Sequence, residues 1–272
     1  MTAVKFWSEH SKSIGGFLLD ISGVLYNCGE GLGTVVDGSV AAIDRLMSAN
    51  VPVRFCTNET QCTRSYIVSK LQRLGFEQIK DALVFPPAPA VCKVLKERGL
   101  RPHLLVHTDV VPDFSEMDQT DPNCVVIGDA GEIFSYENVN IAFQKLLSME
   151  KPVLITMGMG KFYKSDDNLN LDVGPFAKAL EYACDIKSEV VGKPSETFFL
   201  TAVKDMNLEA NKVVMIGDDI VSDVGGSQKA GLFGVQVRTG KYRPQDENHP
   251  TVKPHCYVDN LAEAVDLYLK YK

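Results

Sequence analysis

Residues 16–25, Gly16-Phe17-Leu18-Leu19-Asp20-Ile21-Ser22-Gly23-Val24-Leu25, decide how the rest of the chain is read. The apolar run ending at Leu19 has the length and composition of a buried strand, and Asp20 stands where that strand stops. A carboxylate there adds nothing to packing, while Gly23 lets backbone approach a ligand closely. Asp20 therefore reads as a nucleophile or a metal ligand.

Working outward, short apolar runs alternate with stretches of helical period. Strands are expected at 16–20, 51–57, 103–107, 124–128, 153–157, 189–191, 212–217 and 234–237. This alternation predicts an α/β fold, a Rossmann-like parallel-sheet core with helices on both faces. Ser39 is expected to cap a helix striped by Val40, Ile43, Leu46 and Met47. Ile67, Leu71 and Leu74 stripe the next, which Gly75 can end, and further helices are expected over 136–149 and 174–184. Two breaks punctuate the chain: Phe85-Pro86-Pro87-Ala88-Pro89, with a helix starting near Pro89, and Gly192-Lys193-Pro194-Ser195. The block between them has strands and helices of its own. It is expected to be an inserted smaller α/β cap domain over 88–189, set into a core formed by 1–87 and 190–272.

The 272 residues are 45% hydrophobic and 23% charged, as in an ordinary globular protein, and the net charge of −7 argues against a nucleic-acid binder. No apolar run approaches the ~18 residues of a membrane helix, and the N-terminus lacks the apolar stretch of a signal peptide. Seven scattered cysteines, without a Cys-x-x-Cys pair, predict reduced thiols in the cytosol. Cys56, at a strand end, is expected to be a small buried core residue. His103 and His107 lie four apart on a strand, where that spacing creates no shared face for zinc. Gly158-Met159-Gly160-Lys161 lacks the full spacing of a phosphate loop and is expected to be a flexible loop.

Three more apolar runs end in polar residues. Val53-Arg54-Phe55-Cys56 leads to Thr57-Asn58, Val190-Val191-Gly192 to Lys193, and Val213-Val214-Met215-Ile216-Gly217 to Asp218-Asp219, with Asp223 beyond. Ligands of open α/β sheets bind at the carboxyl ends of strands. Taken singly, Asp218-Asp219 suits a turn, Thr57-Asn58 a helix cap and Lys193 a solvated loop. Taken together they suit a phosphate and a hard cation. Asp20 and Asp218 can hold Mg²⁺, while Thr57, Asn58 and Lys193 bind phosphoryl oxygens as Asp20 attacks.

These four clusters resemble the motifs of the haloacid dehalogenase superfamily of aspartate-nucleophile phosphatases: Asp20-Ile21-Ser22-Gly23-Val24, Thr57-Asn58, Lys193, and Gly217-Asp218-Asp219 with Asp223. The resemblance implies Asp20 and Lys193 as catalytic residues. It implies Asp20, Ser22 (through its carbonyl) and Asp218 as metal ligands, with Asp219 and Asp223 behind them. Asp20, Ile21, Ser22, Thr57, Asn58 and Lys193 are the implied phosphate-binding set. It further implies a large α/β cap of the type found in phosphoglycolate, pyridoxal-phosphate and nucleotide phosphatases, a homodimer through that cap, and a cytosolic or nuclear location.

Ser22 departs from the family pattern. Most relatives carry an aspartate there, which protonates the leaving group and then activates water; serine lacks useful acidity near neutral pH. Substrates needing little acid are therefore expected: phosphohistidine, phospholysine and pyrophosphate. A small-molecule phosphomonoester phosphatase and a catalytically weak phosphate sensor are the alternatives. A signalling receiver also combines an acidic cluster with Thr and Lys, but has no place for the long insertion. Water is left without an evident base, and Glu59 and Asp219 are the next carboxylates in line.

Overall fold

The computed structural model describes residues 1–165 and 168–272. Its strands are β1 (Gly16–Leu19), β2 (Tyr26–Asn27), β3 (Thr34–Val35), β4 (Val53–Cys56), β5 (Val84–Phe85), β6 (Pro102–Leu105), β7 (Cys124–Ile127), β8 (Leu154–Thr156), β9 (Phe162–Ser165), β10 (Asn168–Leu171), β11 (Glu189–Val190), β12 (Val213–Gly217), β13 (Phe233–Val237) and β14 (Cys256–Val258). The helices are α1 (Ala3–His10), α2 (Ser39–Ser48), α3 (Arg64–Arg73), α4 (Pro87–Arg98), α5 (Tyr136–Ser148), α6 (Val173–Cys184), α7 (Glu196–Asp205), α8 (Gly226–Lys229) and α9 (Leu261–Tyr271).

Six strands form one parallel sheet in the order β14-β13-β12-β1-β4-β5. Side chains alternate across it, as the pleat requires. Phe17, Leu19, Val214 and Ile216 pack on one face against α1, α2, α3 and α9. Leu18, Val213 and Met215 pack on the other against Phe198, Phe199, Ala202 and Val203 of α7. With both faces covered, the central strands β1 and β12 are apolar throughout, as expected of a buried parallel sheet. The chain runs from β1 outward to β5, then returns at β12 and runs the other way. Strand order therefore reverses between β1 and β12, and that switch point opens a crevice at their carboxyl ends.

The second sheet, β11-β8-β7-β6, is also parallel. One face packs Cys124, Val126 and Ile155 against Val91 and Leu95 of α4. The other packs Val125, Ile127 and Leu154 against Leu146 of α5 and Ala177 and Leu180 of α6. All four strands fall between β5 and β12 in the chain. Among the described residues, no helix is long and apolar enough to cross a membrane.

Three details differ from the sequence reading. Ser39 is the first residue of α2 and not its cap; Gly38 caps it at φ +71°, and the Ser39 hydroxyl donates to the Leu25 carbonyl. Val84–Phe85 is an edge strand, and α4 begins at Pro87, where a proline needs no N–H. The hairpins β2–β3 and β9–β10 and the edge strand β14 escape detection because they are too short or too polar to show a period.

The loop after β4 reaches the second sheet, where the Asp129 N–H donates to Thr60 Oγ1 at 2.8 Å. Thr60 is buried. Thr60→Val keeps the shape but leaves that N–H unpaired, and should cost about 1–3 kcal/mol. Urea denaturation checks this as a lower midpoint at unchanged slope.

Candidate active site

Asp20 and Asp218 end neighbouring strands and converge at the switch point with Asp223, which lies on the turn Ile220–Gly225. Carboxylate oxygens of the three lie within 4.8 Å of one another, all buried. Lys193 enters from the loop after β11. Its Nζ is 2.7 Å from Asp20 Oδ1 and 2.7 Å from Asp223 Oδ1. The bland alternative for this lysine, a solvated loop residue, fails: only 3% of it is exposed.

Glycines make room for the acids. A Cβ on Gly23 (φ +83°) or on Gly240 (φ +64°) would stand 2.1 Å from Asp218 Oδ2. The close approach that Gly23 permits is thus that of a second carboxylate. Asp218 Oδ2 accepts from the Lys241 N–H at 2.8 Å, while buried Asp218 Oδ1 has no hydrogen-bond partner among the described residues. Asp20 Oδ1 also accepts from the Ile21 N–H at 2.8 Å, leaving Oδ2 without a hydrogen bond among them.

Asp219 and Asp223 separate in role. Asp219 Oδ1 caps the following turn by accepting from the Val221 and Ser222 N–H groups, and Asp219 Oδ2 pairs with Lys241 Nζ at 3.0 Å. Asp223 faces Lys193 through Oδ1 and accepts from the Asp219 N–H through Oδ2. Asp223 is thus as near the centre as the other two acids, yet both its oxygens are engaged. Asp20 and Asp218 are the ones with an oxygen to spare.

The electrostatics follow from burial. Desolvation raises the Asp20 carboxyl; Lys193 lowers it, Asp218 raises it, and the net direction is up. Asp218 and Asp223 are likewise pushed up to about 7, mainly by burial and neighbouring acids, against Lys241 and Lys193 respectively. Burial pushes Asp219 up too, but Lys241 and the Ser222 and Val221 amides reverse it, to about 2. Burial disfavours the charged forms of Lys193 and Lys241, yet the surrounding acids hold both above the usual lysine range. Four carboxylates against two ammonium groups leave a formal excess of two negative charges. That excess and the orphaned Asp218 oxygen fit a hard divalent cation held by oxygen donors.

Thr57, Ser22 and Asp20 line a cavity of about 810 Å³ above this cluster. Thr57 Oγ1 accepts from the Glu59 N–H at 3.0 Å. Ser22 is half-buried, 3.5 Å through Oγ from the Cys28 thiol. Two expected phosphate-binding residues are otherwise occupied. Ile21 spends its N–H on Asp20 and buries its side chain. Asn58 holds the lysine loop: its Oδ1 accepts from the Lys193 N–H and its Nδ2 donates to the Lys193 carbonyl, each at 2.8 Å. Asn58 aims the lysine.

Sequence reading missed Lys241, which lies four residues beyond the end of β13. It also missed Asp129, which follows β7, and Asp172, which caps α6 after β10; both reach the cavity with Gly160 and with Tyr163 and Lys164 of β9. Gly160-Lys161, read as a flexible loop, leads into β9, and Gly160 packs against the Asp172 carboxylate. Cys56 is fully buried, its thiol pushed up to about 12 by burial, which suits a core residue and not a nucleophile. His107 Nδ1 accepts from the Asp109 N–H in a turn.

The sequence model described as haloacid dehalogenase-like hydrolase matches residues 17–142, and a related HAD-hydrolase-like model matches residues 190–264. The chain is 58% identical to the human phospholysine phosphohistidine inorganic pyrophosphate phosphatase, over 97% of this chain and 98% of that protein. It is 39% identical to the bovine haloacid dehalogenase-like hydrolase domain-containing protein 2, over 96% of this chain and 98% of the relative. Its fold matches a 4-nitrophenylphosphatase from Thermotoga maritima with a TM-score of 0.83 at 24% identity, covering 94% of this chain and 98% of that one.

Asn58→Leu removes both hydrogen bonds to the Lys193 backbone. Phosphatase kcat/KM should fall by about 10²-fold, since misplacing a catalytic group by ~1 Å costs that much. Steady-state kinetics beside a melting curve check that the loss exceeds any unfolding.

Proposed function

The chain belongs to the haloacid dehalogenase-like hydrolases, and from that premise we propose that it is a Mg²⁺-dependent phosphatase of P–N bonds and pyrophosphate acting through phosphorylated Asp20. One observation carries the reading: Lys193 bridges Asp20 and Asp223 beside an Asp218 oxygen that has no partner. Asp20, Asp218 and the Ser22 carbonyl would hold the cation. When bound, Mg²⁺ neutralises the buried carboxylates and polarises a phosphoryl oxygen.

The Asp20 carboxylate attacks phosphorus, and the bond to the leaving nitrogen or oxygen breaks. Lys193 supplies positive charge to the phosphoryl group as negative charge spreads over its oxygens, and the Thr57 hydroxyl can donate to one of them. Water then cleaves the aspartyl phosphate. Splitting one displacement into two lowers each barrier.

Ser22 sets the substrate class. It offers no acid to the leaving atom, so departure must be easy. Phosphate leaves pyrophosphate as a weak base, and the basic nitrogen of phosphohistidine or phospholysine takes its proton from solvent before cleavage. The names of relatives at 57–58% identity support the same substrates.

Asp20→Asn should abolish Mg²⁺-dependent phosphate release. At fixed pH, a leaving-group series should rank phosphoramidates and pyrophosphate well above alkyl phosphates; equal rates would contradict the role given to Ser22. Activity retained in Asp20→Asn would point away from this nucleophile, and phosphate binding without turnover would point to a sensor.

Stability gives a second check. The Asp218 carboxyl is raised to about 7 in the fold. Its contribution is present below the ordinary carboxylate range and is lost as pH rises towards 7, when burial must be endured as a charge. Mg²⁺ opposes that loss. The rise in Tm on adding Mg²⁺ to chelator-treated protein should be small at pH 5 and grow towards pH 7.5; a rise independent of pH would contradict it.

A further inference from the structure

The phosphatase reading leaves the second step without a base, because Ser22 cannot deprotonate water. Asp219 is excluded: the turn amides and Lys241 occupy its oxygens. Asp223 is engaged by Lys193 and the Asp219 N–H.

Beside the main cavity lies a second, of about 230 Å³. Ser22, Thr57, Glu59, Gln61 and Lys70 line both. The smaller one extends past Ile67 to His107, Asp109 and half-exposed Tyr66. Its volume holds several waters, each taking ~30 Å³ in the liquid. Glu59 thus stands at the junction of a water-sized side cavity and the reaction cavity, on the side where Ser22 lies.

Its carboxylate is held at one oxygen only. Glu59 Oε1 accepts from the Gln61 N–H at 2.7 Å, and Gln61 Nε2 donates to Asp129 Oδ2 at 2.8 Å, which braces the loop against the second sheet. Glu59 Oε2 has no hydrogen bond among the described residues. A carboxylate fixed through one oxygen and free at the other can take a proton from a water beside it.

Resting on the phosphatase reading, we propose that Glu59 is the general base that activates water against phosphorylated Asp20, with the side cavity supplying that water. The Glu59 carboxylate takes one proton from water as the water oxygen bonds to phosphorus. The bond from phosphorus to the Asp20 oxygen breaks, and its electron pair returns to the Asp20 carboxylate. Inorganic phosphate leaves, and the proton on Glu59 passes to solvent.

The surroundings strengthen Glu59 as a base. Burial raises its carboxyl, the Gln61 N–H and Lys70 lower it, Asp129 and Asp172 raise it, and the net direction is up. Burial, and with it the Glu59 charge, raises the Tyr26, Cys62 and Tyr163 groups. Lys70, whose Nζ lies 4.5 Å from the Tyr26 ring centre, is one of the groups that favour the ionised carboxylate. Acting as a base, Glu59 serves water and leaves the first step without an acid, which preserves the demand for an easy leaving group.

The test follows p-nitrophenol release from p-nitrophenyl phosphate in the full chain with Mg²⁺, since that leaving group needs no acid. Glu59→Gln keeps the acceptor for the Gln61 N–H and loses only the base. The wild-type time course should be linear. Glu59→Gln should give a burst of one nitrophenol per active site, then a steady state slower by about 10²-fold or more, without the acid limb of the wild-type kcat profile. Adding Ser22→Asp to Glu59→Gln restores a carboxylate on the same junction and should recover at least about tenfold of the loss. A Glu59→Gln enzyme within about threefold of wild type, a loss of burst and steady state together, or a double variant no faster than Glu59→Gln overturns the proposal. Should Glu59→Gln fail to fold, Ser22→Asp alone decides: a gain within about threefold supports a base already in place, and a larger gain overturns it. Asp20→Asn runs beside every arm. Turnover surviving in it would refute the phosphatase reading itself, an outcome distinct from any failure of Glu59.

Discussion

The structure depends on holding four carboxylates and two lysines together at the end of one parallel sheet, with Asp20, Asp218, Asp223 and Lys193 buried. Such a cluster is expensive in isolation, because each buried charge loses its hydration. It stands because Lys193 is shared by Asp20 and Asp223, Lys241 reaches Asp219, and backbone N–H groups satisfy further oxygens. Remaining negative charge and one orphaned Asp218 oxygen are what a divalent cation would relieve. The same features that weaken the cluster as structure make it suitable for phosphoryl chemistry.

Much of the surrounding backbone serves that cluster. Gly23 and Gly240 adopt positive φ on either side of Asp218, where any Cβ would collide with its carboxylate. Gly217 gives the same clearance to Asp223, whose Oδ2 would lie 2.2 Å from an added Cβ. The loop after β4 is the connector. Asn58 grips the backbone of Lys193, Thr60 and Gln61 grip Asp129, and Glu59 lies between them facing the cavity. One short segment therefore couples the lysine, the second sheet and the side cavity, so packing around it bears directly on chemistry.

Much of this was legible in the sequence, for physical reasons. A parallel sheet covered on both faces needs continuous apolar strands, so polar residues at their ends stand out; Asp20, Thr57, Lys193 and Asp218 could be picked on that ground. Ser22 was legible as a departure from a pattern. What stayed hidden was partnership. Asn58 is expected among the phosphate-binding residues, and only the fold shows both ends of its amide bonded to the Lys193 backbone. Lys241 follows a strand whose carboxyl end carries no acid of its own. Asp129 and Asp172 lie on loops far apart in sequence, and meet the cavity only through the packing of the second sheet. Short strands such as Val84–Phe85 and Cys256–Val258 hold too few residues for a period to declare itself.

The central claim is that Asp20 becomes covalently phosphorylated during turnover. Acyl phosphates are reduced by borohydride to the corresponding alcohol, so quenching the enzyme with borohydride while it turns over a phosphoramidate and Mg²⁺ should convert Asp20 to homoserine. Peptide mass spectrometry reads this directly. The expected result is homoserine at position 20, dependent on substrate and Mg²⁺; an unmodified Asp20 with reduction at another carboxylate would contradict it.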